Sequence, residues 1–210
     1  MGIAERKEKQ KLEIKKLILE ASIKLFMEEG FENVSIRKIA DLIEYSPTTV
    51  YLYFRDKNDI FLHLHELGFQ KMQEMNQNLQ NIANPLVRLY KMGENYLQFG
   101  IDNPEFYDLM FIQKAPMQAL RTKMQENCAW SQGDTALATL QAIIQDCMDK
   151  GLMKQGPIEA VSLTIWGMVH GLVSLYIRER LESLVTVEKT KEVMFNSLNW
   201  MMATLDSSTT

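Results

Sequence analysis

Apolar residues recur along this chain at the three- and four-residue spacing of helix faces, and short polar breaks divide it into blocks. Ile14, Leu17, Ile18, Ala21 and Leu25 mark one face of a first helix. Gly30 then supplies a left-handed end. Ser35 is placed to N-cap a second helix carrying Ile36, Ile39, Ala40 and Ile43. After a break at Glu44-Tyr45-Ser46, Ser46 can cap a third helix, with Pro47 in its first turn and Val50 and Phe54 facing inward. A long helix is predicted from about Asn58 to Gln80, and another from Asn84-Pro85 to about Gly100. The turn DNPEF at 102–106 leads into a short apolar helix, Phe106 to Ile112. Residues 113–132 are poorly patterned. Helices over Ala136–Lys150, from Gly156-Pro157 to about Arg180, and over roughly Glu188–Leu205 complete the chain. No segment alternates as a strand would. The expectation is an all-α protein with an N-terminal three-helix unit (1–56), a larger helical domain (57–205) and a flexible tail (206–210).

Composition narrows the possibilities. The 210 residues are 46% apolar and 24% charged, enough for a packed core and inconsistent with a disordered chain. Net charge is −4, so any nucleic-acid binding must rest on a local patch. Cys128 and Cys147 make neither a disulfide framework nor a zinc site. The charged start lacks the apolar run of a signal peptide, and Arg6 stands where a myristoylation signal has Ser or Thr. No apolar stretch is read as reaching the length of a membrane span, so a cytoplasmic protein with no membrane partner is expected. Fourteen methionines suit an irregular core first and an adaptable binding surface second.

Enzymatic chemistry finds no support. HExxH, GxSxG, P-loop and CxxC motifs are absent. His63 and His65 fall on nearly opposite sides of a helix and cannot share a metal there. No cofactor, metal or catalytic residue is expected.

The stretch SPTTVYLYFRDKNDI, Ser46 to Ile60, carries the chemistry instead. Two short helices joined by a tight turn, the second rich in hydroxyls and aromatics, form a helix-turn-helix pattern whose second helix enters the DNA major groove. Ser46, Thr48, Thr49, Tyr51 and Tyr53 offer hydroxyls to phosphates or base edges. Arg37, Arg55 and Lys57 supply cations for the backbone. Residues 1–60 hold eleven basic and eleven acidic side chains, so the unit is neutral overall, with its cations gathered in the N-terminal arm, at 37–38 and at 55–57.

The run SIRKIADLIEYSPTTVYLYFRDKNDIF resembles the N-terminal DNA-binding domain of TetR-family transcriptional regulators. The shared marks are Ser35, Ile39-Ala40, Ser46 and Tyr51-x-Tyr53-Phe54-x-x-Lys57, and the resemblance covers residues 12–62, about a quarter of the chain. It implies DNA contacts by Ser35, Arg37, Ser46, Pro47, Thr48, Thr49, Tyr51, Tyr53 and Lys57. Two positions depart from the family pattern. Glu44 stands where Gly is common, which places a Cβ in a strained turn, and Pro47 replaces a polar residue.

Two further segments resemble one type of TetR-like ligand-binding domain: Asn103-Pro104 with Phe106 to Phe111, and Trp166 with His170-Gly171. A pocket between helices can be lined by Phe99, Phe106, Tyr107, Met110, Phe111, Trp130, Trp166 and His170, favouring an apolar or amphiphilic effector. Gly167, Gly171 and Ser174 make a smooth helix face. The family architecture implies that the last two long helices pair with those of a second copy, with Met194, Leu198 and Met201 on the final helix. The expected function is a ligand-responsive regulator, by family habit a repressor, that binds a palindromic DNA operator as a homodimer and is released by a small-molecule effector. A TetR-like activator and a helical adaptor without DNA binding are the alternatives.

Overall fold

The computed structural model describes residues 2–114 and 131–207. Among these the regular structure is helical, with one isolated bridge between Met153 and Asp206. The α-helices are α1 (Ile3–Glu29), α2 (Ile36–Leu42), α3 (Pro47–Tyr51), α4 (Lys57–Asn76), α5 (Pro85–Asp102), α6 (Pro104–Tyr107), α7 (Ser131–Asp149), α8 (Ile158–Ile177) and α9 (Val187–Leu205). A π-helical turn, Asp108–Ile112, follows α6 directly.

Packing divides the chain into two compact units. One comprises residues 1–68 and the segment beginning at Asp108; the other comprises residues 69–107 and the helices from Ser131 onward. The helix predicted from Asn58 ends at Asn76, and a short 3-10 turn, Leu79–Asn81, takes its last residues. The first helix begins at Ile3, well before its apolar stripe, because its first turns are mostly charged and their few apolar residues, Ile3, Ala4 and Leu12, do not repeat at helical spacing.

In the first unit, Ile18, Phe26, Phe31, Ile39, Ala40, Val50, Phe54 and Phe61 are buried. The Phe26 and Phe31 rings pack 4.9 Å apart and Phe31 meets Phe61 edge-on at 5.9 Å, so α1 and α4 clamp the start of α2. In the second unit α5 lies centrally against α7, α8 and α9. A Cβ added at Gly100 of α5 would sit 2.2 Å from Val173 Cγ1, so glycine is what lets α8 approach that closely.

Two expectations are corrected. The tail from 206 is not free at its start, since Asp206 bridges to Met153 and the Ser207 amide donates to the Leu152 carbonyl at 3.0 Å. Among the described residues one helix, α8, is long and apolar enough to cross a bilayer by length and composition, with a mean hydropathy of 1.6. Its polar members, Glu159, Ser162, Thr164, His170 and Ser174, are spread singly and interrupt the apolar run. Only 22% of that apolar window is buried within the chain.

Candidate functional site

α2 and α3 are both begun by a side-chain oxygen. Ser35 Oγ accepts from the Lys38 amide at 3.3 Å, and Ser46 Oγ accepts from the Thr49 amide at 3.1 Å. Pro47 occupies the first turn of α3, where its missing N–H costs no hydrogen bond. Val50 and Phe54 are buried behind the helix, so Thr48 and Tyr51 are turned outward, Tyr51 to 57% exposure. Tyr53 is half-buried. The Thr49 hydroxyl lies 3.0 Å from Ser46 Oγ, which orients it toward the start of the helix.

The turn between the two helices passes through Glu44 at φ 59°. This left-handed conformation costs a residue with a Cβ about 1–2 kcal/mol, the strain expected of this turn from the sequence.

The cations of this head are largely engaged. Lys38 pairs with Glu29, and Arg55 with Asp59 at 3.4 Å. Lys57 Nζ donates to the carbonyls of Phe31 at 2.8 Å and Glu32 at 3.1 Å and lies 4.6 Å from the centre of the Phe31 ring. Two of its three donors therefore hold α4 against the entry to α2, and a phosphate can have only the third. Arg37 is exposed on α2, in no ion pair among the described residues.

The second unit contains a continuous line of hydrogen bonds. Trp166 Nε1 donates to Tyr96 Oη at 3.0 Å, the Tyr96 and Tyr107 hydroxyls are 2.9 Å apart, and Tyr107 Oη lies 2.6 Å from His170 Nδ1. His170 Nε2 continues to Ser174 Oγ at 3.3 Å. Indole N–H can only donate, so Tyr96 accepts from Trp166; an arrangement that fits the remaining distances runs from Tyr96 to Tyr107, from Tyr107 to a neutral His170 and from His170 to Ser174. Burial keeps the line uncharged. It pushes the Tyr96 hydroxyl up to about 12, raises Tyr107 well above the ordinary phenol range and lowers His170.

Of the residues expected to line a pocket, Tyr107, Trp166 and His170 are therefore brought together. Phe99 is fully buried on α5 in the same unit, and Phe106 is half-buried with the Lys71 ammonium 5.7 Å from its ring centre. Met110 and Phe111 belong to the other unit, where Met110 fills the space over Gly68. Trp130 lies outside the described residues. Tyr96 was missed by the sequence reading, although a tyrosine three residues before Phe99 on a strongly amphipathic helix needs a partner for its hydroxyl if buried.

The expected dimer surface divides in two. Gly167 and Gly171 are open, for an added Cβ at either meets nothing within 4 Å. With the exposed Leu163 and Leu175 they form a stripe at every fourth residue of α8. Ser174 instead faces the hydrogen-bonded line. Met194 and Leu198 are fully buried and Met201 is nearly so, with Leu198 Cδ1 2.9 Å from a Cβ placed on Gly93; this face of α9 belongs to the chain's own core. The outward face of α9 carries Trp200, 72% exposed.

Residues 18–64 match the family of bacterial regulatory proteins called the tetR family, and residues 89–198 match the tetracyclin repressor-like C-terminal domain. The HTH-type transcriptional repressor NicS of Pseudomonas putida is 25% identical over 138 residues, 65% of this chain and 64% of NicS, so the match spans just under two-thirds of that relative's length. The repressor AcnR of Corynebacterium efficiens is 25% identical over 179 residues, 84% of this chain and 86% of AcnR. Two solved structures share the fold. The fatty acid degradation regulator FadR from Bacillus halodurans superposes with a TM-score of 0.72 at 14% identity, covering 90% of this chain and 94% of that one. FadR from Bacillus subtilis in complex with stearoyl-CoA has a TM-score of 0.69 at 18% identity, covering 87% and 96%. The C-terminal match alone takes in more than half of the 210 residues, the N-terminal match falls on the capped helix pair, and the chain belongs to the TetR family of bacterial regulatory proteins.

Proposed function

We propose that this protein is a ligand-responsive transcriptional repressor of the bacterial cytoplasm. It binds a palindromic operator as a homodimer through residues 1–56 and is released by an apolar or amphiphilic effector held in residues 57–205. The observation that carries this reading is the outward surface of Thr48 and Tyr51 on a helix pinned from behind by Val50 and Phe54. Such a surface is built to touch base edges while the buried side fixes its register.

Selection of duplexes from a random pool, followed by binding titrations, tests it. The wild type selects a palindrome whose half-sites lie about 34–36 Å apart or a multiple of that. Tyr51→Ala changes the preferred sequence and loses about 1–3 kcal/mol where a base contact is removed. A protein that selects no sequence supports the adaptor reading instead.

The bare stripe Leu163, Gly167, Gly171 and Leu175 is the surface on which a second copy closes, since α8 is strongly apolar yet little buried in one chain. Gly171→Arg fills no space inside the chain and breaks that face, giving folded monomers by light scattering. A Gly171→Arg protein that stays dimeric places the interface elsewhere.

The uncharged line from Trp166 to Ser174 supports an effector with an apolar body and a hydrogen-bonding group that carries no charge at the point of contact. Release is a population shift: the effector favours the conformer that holds DNA poorly, and operator DNA weakens effector binding by the same factor.

A further inference from the structure

The reading head has few cations to spare for DNA, because Lys38, Arg55 and Lys57 are all engaged within the chain. The first turns of α1 hold others. From Ala4 to Glu13 every residue is exposed, a helical segment about 15 Å long with no core beneath it. A helix of that length without packing is marginal in water and depends on local pairs. On one side those pairs are present: Lys9 with Glu13, Lys16 with Glu20 and, further along, Lys24 with Glu28, each four residues apart. On the other side Lys7, Lys11 and Lys15 follow one another at four-residue spacing, within about 80° of arc. None of the three has an ion pair among the described residues. The Lys15 ammonium lies 5.7 Å from the centre of the Phe54 ring, three residues past the end of α3, so the row starts beside the C-terminal end of the reading helix and runs away from it along α1.

We infer that Lys7, Lys11 and Lys15 form a second DNA contact, a row of ammonium groups on operator phosphates flanking the bases that α3 reads. This rests on the proposed role as a DNA-binding regulator. The row spans about 12 Å along the helix, between three and four nucleotide steps at about 3.4 Å of rise each. Lysine is a compact point charge on a flexible stem, suited to phosphates and blind to sequence. Glu8 lies on the same side and reduces the net charge of the row from +3 to +2.

The test compares two full-length triple variants that remove the same charge. Lys7→Gln/Lys11→Gln/Lys15→Gln empties the row; Lys9→Gln/Lys16→Gln/Lys24→Gln empties the paired side. Each is titrated against the selected operator and a random duplex at several salt concentrations, with circular dichroism to check helicity. The row variant lowers the slope of log K against log salt by about 2–3 and weakens operator and random duplex by the same factor, while the paired-side variant keeps the wild-type slope. Glu8→Gln alone tightens binding to both duplexes and decides the matter if the row variant loses helix. An unchanged slope in a folded row variant, an equal fall in both variants, or a Glu8→Gln protein with wild-type affinity overturns the inference. Failure of the wild type to bind any duplex instead removes the regulator reading on which it rests.

Discussion

The hydroxyl of Tyr107 stands 2.6 Å from Nδ1 of His170, joining two side chains 63 residues apart. Tyr107 is fully buried at the end of α6, and His170 lies midway along α8. Tyr107→Phe keeps the ring and removes the central link of the line. It leaves His170 Nδ1 with only the longer 3.4 Å approach to the Tyr96 hydroxyl in place of the 2.6 Å bond, at a cost of about 1 kcal/mol. Urea unfolding reads that loss. A variant with wild-type stability would show that the line contributes nothing net to the fold.

Lys57→Ala separates two roles that sequence alone had merged. The change removes two bonds to the Phe31 and Glu32 carbonyls, so stability falls by about 1–2 kcal/mol. DNA affinity falls with it, because the head loses the tie between α4 and the entry to α2. Thermal unfolding and DNA titration on the same preparation give both numbers. Weakened DNA binding with unchanged stability would assign Lys57 to phosphate alone.

Glu44→Gly relieves the left-handed residue in the turn at φ 59°. The conformational gain exceeds the extra freedom of glycine in the unfolded chain, leaving a net stabilisation of about 0.5–1 kcal/mol. Thermal unfolding should therefore shift upward. A downward shift would mean that the Glu44 side chain makes a compensating contact.

Much of this site was legible because it is local. Ser35 and Ser46 act within three residues of their own position, and the spacing of Val50 and Phe54 gives the buried side of a helix directly. Trp166, His170 and Ser174 share a helix face for the same reason, although nothing in that spacing distinguished Ser174, turned inward, from Gly171, turned out. What could not be read is long-range. Tyr96 meets Trp166 seventy residues away. Leu198 is spent on Gly93 rather than on an outer face. Lys57 turns to carbonyls 25 and 26 residues upstream. Periodicity shows that a residue lies on a helix face and is silent about which neighbour covers it.

His65, buried on α4 with its ring 5.6 Å from that of Phe61, gives stability a pH dependence. Burial lowers its pKa from the ordinary 6.5 to about 4. Protons therefore bind the unfolded chain first. The contribution is fully present above about pH 6.5, declines below it and is lost as pH falls through 4, amounting to about 3 kcal/mol. His170, also lowered by burial, acts in the same direction. Urea midpoints between pH 7.5 and 4.5 should fall, and His65→Leu should flatten the curve. A variant as acid-sensitive as the wild type would move the effect to other groups.

The bareness of α8 has a consequence for how the protein is kept in a cell. A newly made single chain presents Leu163, Leu175 and the smooth glycine surface between them to solvent, with Trp200 of α9 likewise uncovered. Such a surface invites chaperones and proteases, and on the proposal that a second copy closes on it, exposure ends only with association. Survival of each chain then depends on how many others are present, because association protects by mass action. Steady-state abundance should rise more than proportionally with the rate of synthesis, so a modest change in promoter strength would carry the regulator from nearly absent to fully present.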